Sequence, residues 1–217
     1  MLTEEEINIV HPGYAEYAYR WDYYMRSYMG AEEYRDGAYF RKYIAEDDAP
    51  GDQYLQRLRD TALQNHCKSV VETYRAFVFR NQPTRDYGNL VNNPFVERFR
   101  EDVDLRGSDM TAFMRDVSDT VSIYGGAWVS VDRPAYRVEN AAQELELDIR
   151  AYTTLYNPTN VLDWQYTKGV NGKRQLSHVK IVDERFDGHD VLICWYPDRI
   201  ERYEVEKVQQ YGELPQM

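Results

Sequence analysis

The stretch DQYLQRLRDTALQNHCKSVVETYRAFVFRNQPTR, residues 52–85, decides the fold. Its apolar residues recur at helical spacing and drift from one side to another, a pattern typical of a long helix with neighbours on two sides. Asp52 is the predicted N-cap, and Pro83 ends the helix because the residue before a proline is pushed out of the α region. The pattern therefore predicts one rod from Gln53 to Phe79, about 40 Å long at about 1.5 Å per residue. The apolar positions are Leu55, Leu58, Ala62, Leu63, Cys67, Val70, Val71, Tyr74, Phe77 and Val78.

Charge and cysteine content restrict the classes of function. The 217 residues include 37 Asp and Glu against 26 Lys and Arg, a net charge of −11, which repels duplex DNA. Twelve of the acidic residues and five of the basic ones lie between Met1 and Asp52. Cys67 and Cys194 lack metal-site spacing and are predicted to be buried thiols in a reducing compartment. No apolar run predicts a membrane span, and the first residues do not resemble a signal peptide.

The N-terminal segment carries an aromatic seam. After a loose acidic lead-in from Met1 to Val10, the His11-Pro12-Gly13 break predicts a helix that ends at Gly30. Tyrosine combines a large contact area with a polar tip, so this seam either packs on the domain or contacts a neighbouring subunit. A third interpretation is a platform on which nucleic-acid bases stack, but the surrounding acidic residues disfavour it. The seam consists of Tyr14, Tyr17, Trp21, Tyr24 and Tyr28.

The rest of the chain changes from helix to strand. Ser108-Asp109 is predicted to cap a helix from Met110 to Tyr124, and Ala127–Val131 reads as a strand after two glycines. Asn171-Gly172 and Asp187-Gly188 are the best hairpin turns among the later strands. We expect an α+β fold with long N-terminal helices packed on a C-terminal antiparallel meander. The later strands are Ile149–Leu155, Val161–Thr167, Gln175–Val182, Val191–Tyr196 and Ile200–Val205. The predicted divisions are 1–51 (an acidic, tyrosine-rich helical segment), 52–126 (a helical core) and 127–217 (an antiparallel β part).

Catalytic motifs are scarce. The four histidines occur at unrelated spacings, and no hydrolase elbow, zinc-helix or nucleotide-binding fingerprint is present. We therefore expect no enzyme, no cofactor and no metal. The competing hypothesis is a small metal- or carboxylate-dependent hydrolase whose site, between sheet and helices, contains Asp163, His178 and Asp183. A monomeric adaptor that binds one protein through the tyrosine seam is a weaker alternative.

Four stretches together resemble the portal proteins of tailed bacteriophages. Residues 11–29 resemble the HPxY…W opening of that family, and residues 54–83 its long helix ending in a VFRNQP-like stop. Residues 110–134 resemble its helix, tyrosine-glycine turn and strand ending in VDxP, here VDRP. Residues 152–166, YTTLYNPTNVLDWQY, resemble the family segment that ends in an Asp-Trp pair. The YPDRI strand region near residues 191–203 is compatible with the stretch that follows.

The resemblance covers nearly the whole chain and corresponds to the peripheral wing of a portal subunit. The stem, clip and crown of the family are not evident before Met217. It implies a structural virion protein in a twelve-fold ring at the capsid vertex, assembled in the host cytoplasm. DNA would pass through that ring without sequence-specific binding. The implied partners are capsid, scaffolding, terminase and head-tail adaptor proteins, with no membrane. Tyr17, Trp21, Tyr24 and Tyr28 are the predicted contacts with a neighbouring subunit or partner.

Overall fold

The computed structural model describes residues 4–30, 40, 42–46, 53–61, 64–185 and 188–206. The chain divides into two compact units, one formed by Met1–Val70 with Pro158–Met217 and the other by Val71–Asn157. The first unit therefore brings the N-terminal helices together with the last strands. The three sequence divisions at 1–51, 52–126 and 127–217 stay a prediction. In the described residues, no helix combines the length and apolarity needed to span a bilayer.

The described residues form helices and two antiparallel sheets, so the predicted α+β class is confirmed. The helices are α1 (Glu4–Asn8), α2 (Pro12–Met29), α3 (Gln53–Asp60), α4 (His66–Val78), α5 (Pro94–Glu101), α6 (Met110–Tyr124) and α7 (Ala141–Glu146). The strands are β1 (Trp128–Asp132), β2 (Tyr152–Tyr156), β3 (Val161–Lys168), β4 (Arg174–Arg185), β5 (His189–Trp195) and β6 (Ile200–Glu206). The division between the two units falls inside α4.

Helix α2 follows its sequence signals closely. His11 is the N-cap, and its Nδ1 accepts a hydrogen bond from the Gly13 backbone at 3.0 Å. Pro12 begins the helix, where the missing N–H of proline costs no hydrogen bond. Gly30 ends it with a φ of 102°. The predicted helix between the His11-Pro12-Gly13 break and Gly30 is confirmed, whereas the loose lead-in was wrong in part because α1 lies within it.

The predicted rod from Gln53 to Phe79 is wrong. Helix α3 ends at Asp60, and Thr61, Gln64 and Asn65 are not helical. The Asn65 Oδ1 accepts a hydrogen bond from the Lys68 backbone at 3.0 Å, which is the bond of an N-cap and starts α4. Its Nδ2 donates to the Tyr28 carbonyl at 2.6 Å, so a tertiary contact with α2 holds the cap in place. The apolar periodicity of the sequence continues across this break, but the capping side chain of Asn65 starts a separate helix there.

The apolar stripe of the supposed rod is also less buried than expected. Helix α4 buries no side chain, and Tyr74 and Phe77 are 67% and 70% exposed. Cys67 is exposed, so its predicted burial was wrong, whereas the predicted burial of Cys194 is confirmed. The helix that packs on the sheet is α2.

A four-stranded meander in the order β3-β4-β5-β6 forms the sheet of the first unit. The Asn171-Gly172 hairpin is confirmed, since Gly172 has a φ of 74° and its N–H donates to the Gly169 carbonyl at 2.8 Å. Gly188, with a φ of 96°, precedes β5, which pairs antiparallel with β4; Asp187 lies outside the described residues. The core between α2 and the sheet consists of Tyr14, Ala18, Leu162, Val182 and Leu192.

The segment Ile149–Leu155 was wrongly placed in this meander. Its strand, β2, pairs with β1 in a separate two-stranded sheet, with Trp128 opposite Tyr156. This sheet belongs to the second unit, together with α6, whose predicted cap is confirmed because Asp109 accepts hydrogen bonds from the Thr111 and Ala112 backbones. The alternation of side chains along β1 predicted a strand, but only long-range pairing selects the strand with which β1 pairs.

Candidate functional site

Two stretches that carry the portal resemblance pack against each other in the first unit. The His11 ring stacks on Trp164 with centroids 3.8 Å apart, and the His11 N–H donates to the Leu162 carbonyl at 2.9 Å. The Tyr14 hydroxyl donates to the Thr159 carbonyl at 3.2 Å. The HPGY segment therefore contacts the PTNVLDW segment at both of its ends, although about 150 residues separate them.

The tyrosine seam is divided between core and solvent. Trp21 packs against the core beside the buried Tyr14, with ring centroids 5.7 Å apart. Tyr17 and Tyr24 are each 41% exposed. Tyr28 is half-buried, and its carbonyl accepts a hydrogen bond from the Nδ2 of Asn65, the residue that caps α4. The exposed pair leaves aromatic surface available for a partner, and the contact role of Tyr17, Trp21, Tyr24 and Tyr28 stays a prediction.

Lys180 is a buried cation that sequence reasoning missed. Its side chain is 2% exposed, and its Nζ donates to the carbonyls of Glu6 at 2.9 Å, Ile7 at 3.1 Å and Ile9. Burial lowers the pKa of Lys180, and the nearby Asp163 carboxylate opposes that shift. These carbonyls belong to the last residues of α1 and the turn after it, where a cation is favourable. The lysine thus holds the N-terminal segment on the sheet. The available signal was a single lysine between the apolar residues of a predicted strand.

The nominated hydrolase residues come only partly together. His178 Nδ1 lies 3.5 Å from Asp163 Oδ2, and the His178 ring stacks on Tyr196 with centroids 4.9 Å apart. The His178 Nε2 is buried and has no hydrogen-bond partner in the described part of the chain. Asp183 lies further along β4, where the register with β5 shifts. Within the described ranges, no group of three or more His, Cys, Asp and Glu is placed to hold a metal ion.

Burial lowers the pKa of His178, with Lys180 acting in the same direction and Asp163 against it. The neutral form is therefore favoured in the folded chain. The unfolded chain, with a His pKa of about 6.5, binds the proton more readily. Stability supplied through this group is present above about pH 6.5 and is lost as pH falls through the lowered folded-state pKa.

We expect His178→Gln to weaken the pH dependence of unfolding between about pH 7.5 and 5.5, with a difference of at most about 1.4 kcal/mol per pH unit. Urea unfolding at three pH values measures it. The same substitution at the exposed His66 is the matched control. An identical pH dependence of the two variants would contradict the assignment.

No protein-family model matches the chain, and a search of curated protein sequences finds no match either.

Proposed function

We propose that this chain is a structural subunit of portal type, corresponding to the peripheral wing of a ring at a phage capsid vertex. The observation that carries the proposal is the packing of the HPGY segment on the PTNVLDW segment. These stretches resemble portal sequences separately, and here the His11–Trp164 stack and the Tyr14–Thr159 hydrogen bond make them one unit. Such mutual contact is what a shared wing core requires.

The exposed surface also supports a subunit role. Tyr17 and Tyr24 expose aromatic area on α2, while Tyr74 and Phe77 expose more on α4. Tyrosine and phenylalanine are enriched at protein interfaces. The net charge of −11 suits a channel protein that must let DNA pass without binding it. In this proposal the ring surrounds DNA in the virion and docks capsid, scaffolding, terminase and head-tail adaptor proteins.

Native mass spectrometry and negative-stain electron microscopy of the purified chain test this function. We expect closed rings of a defined copy number, with twelve copies as the family expectation. A strictly monomeric chain that carries stoichiometric metal and loses hydrolytic activity on His178→Ala would contradict the proposal. That result would support the competing hydrolase with Asp163 and His178.

The aromatic contacts give a separate prediction. We expect Tyr17→Ser combined with Tyr24→Ser to weaken ring assembly about thirtyfold or more, because exposed aromatic anchors at interfaces are worth about 1–2 kcal/mol or more each. Native mass spectrometry across a dilution series measures the change. Tyr136, 59% exposed, supplies a matched Tyr→Ser control. Rings that assemble equally in both variants would remove the contact role from α2 and leave the ring itself in place.

A further inference from the structure

The β3–β4 hairpin projects past the rest of its sheet. Pairing of β4 with β5 begins at Val179, opposite Trp195, whereas pairing of β4 with β3 begins at Arg174, opposite Lys168. Among the described residues, the first five positions of β4 therefore have only β3 as a strand neighbour. Val170 at the turn is fully exposed. The hairpin is an arm rather than an inner part of the sheet.

Hydrogen bonds within the arm close its turn. The Gly169 N–H donates to the Lys173 carbonyl at 2.8 Å, and the Lys173 N–H donates to the Asn171 side chain at 3.0 Å. The Arg174 guanidinium lies over the Tyr166 ring, 3.9 Å from its centroid. Such an arm loses little conformational entropy when it binds a partner.

The charge of the arm is opposite to that of the chain. Residues 165–176 contain Lys168, Lys173 and Arg174 and no acidic residue. The rest of the chain then has 23 basic residues against 37 acidic ones, a net charge of −14 compared with −11 for the whole. Lys168 and Arg174 lie directly opposite each other, an arrangement of like charges that is destabilising without a counter-charge. None of the three forms an ion pair within the described residues.

A cleft of about 690 Å³ lies at the base of the arm. Lys168, Arg174 and Tyr166 form part of one wall, and Val10 and Pro12 belong to the N-terminal segment that also lines it. Asp163 also lines the cleft, but the two cations outnumber it. The cations, aromatic rings and apolar side chains together suit an acidic protein segment, since arginine and tyrosine are enriched at protein interfaces.

We propose that the β3–β4 arm docks onto an acidic surface of a second copy of this chain. The inference rests on the proposed ring function. In a closed ring, each subunit presents two different complementary patches to its two neighbours. A basic arm on an otherwise acidic protein supplies one such patch, and the acidic remainder supplies the other. Duplex DNA is the disfavoured occupant, because the surrounding net negative charge repels it.

The test is charge reversal of the arm by Lys168→Glu, Lys173→Glu and Arg174→Glu together. The control triple is Arg80→Glu, Arg106→Glu and Arg137→Glu, which are exposed positions giving the same net charge. Sedimentation velocity and native mass spectrometry follow self-association at about 50 mM and about 500 mM salt. We expect the arm triple to weaken self-association about 100-fold or more, and the control triple far less. High salt should weaken association of the unmodified chain.

The outcomes separate this inference from the ring proposal. Rings formed equally by the arm triple and the unmodified chain overturn the docking role of the arm and leave the ring proposal standing. If the unmodified chain forms dimers or open chains and only the arm triple prevents them, the docking role is supported and the ring is contradicted. An unmodified chain that stays monomeric overturns the docking role, and the metal and hydrolysis measurements then decide the proposed function. Fluorescence anisotropy with labelled duplex DNA completes the test. If the arm triple alone loses DNA binding while its self-association is unchanged, the arm binds nucleic acid and the docking role is overturned.

Discussion

Replacement of Lys180 by methionine is expected to lower the free energy of unfolding by about 2–3 kcal/mol, because it removes charge-assisted hydrogen bonds from a buried lysine to part-buried carbonyls. The change removes the donor to the carbonyls of Glu6, Ile7 and Ile9 and keeps a side chain of similar length. The midpoint of urea denaturation measures the loss. Amide hydrogen exchange of α1 should accelerate at the same time, because the lysine holds this segment on the sheet.

The matched control for this prediction is Lys68→Met, on helix α4 and exposed. A surface substitution of this kind should change stability by less than about 0.5 kcal/mol. If the Lys180 variant unfolds at the same urea concentration as the control, or if exchange in α1 does not change, the lysine does not anchor the N-terminal segment.

Arg150→Met should destabilise the second unit by about 2–3 kcal/mol, because the buried arginine side chain makes charge-assisted hydrogen bonds to two partly exposed aspartates. The Arg150 side chain is only 5% exposed. Its donors reach the Asp102 carbonyl, the Asp102 carboxylate at 2.8 Å and the Asp148 carboxylate at 3.2 Å. The Asp102 carboxylate also accepts from the Gly107 backbone at 2.9 Å, so the loop before α6 depends on the same cluster.

Thermal unfolding followed by circular dichroism measures the effect, and Arg137→Met at an exposed position is the control. A drop in melting temperature no larger than that of the control would mean that the ion pairs add nothing beyond their cost of desolvation. Asp102→Asn would then be expected to be equally harmless.

Local signals in the sequence predicted much of the fold correctly. A proline at the first helical position and a glycine after the last one bounded α2, and Asp109 marked the start of α6. The strands from β3 to β6 followed from β-branched and aromatic runs between turn residues, with Gly172 at a hairpin. Each of these signals acts within a few residues, where backbone sterics and one capping side chain are sufficient.

The candidate site was less predictable. The exposed Tyr17 and Tyr24 share their spacing with the buried Tyr14, and periodicity cannot tell which of them faces the sheet. Asp163 and His178 were predicted to share a site and lie 3.5 Å apart. The sequence did not predict that Lys180 is the buried cation beside them. Burial depends on which elements cover a strand, and that is a property of the packed chain.

The sequence alone determined the bounds of α2, the cap of α6, the hairpin at Gly172, the strand runs and the excess of acidic over basic residues, because each depends on the chemistry of neighbouring residues. Tertiary structure decided that residues 53–78 form two helices, because the Asn65 side chain caps α4 while bonding the Tyr28 carbonyl of α2. It also decided that β2 pairs with β1, and that Lys180 reaches the carbonyls of the N-terminal segment. These outcomes require contacts between residues far apart in the chain. Such contacts depend on closing long loops and on burial, and a local sequence pattern encodes neither of these.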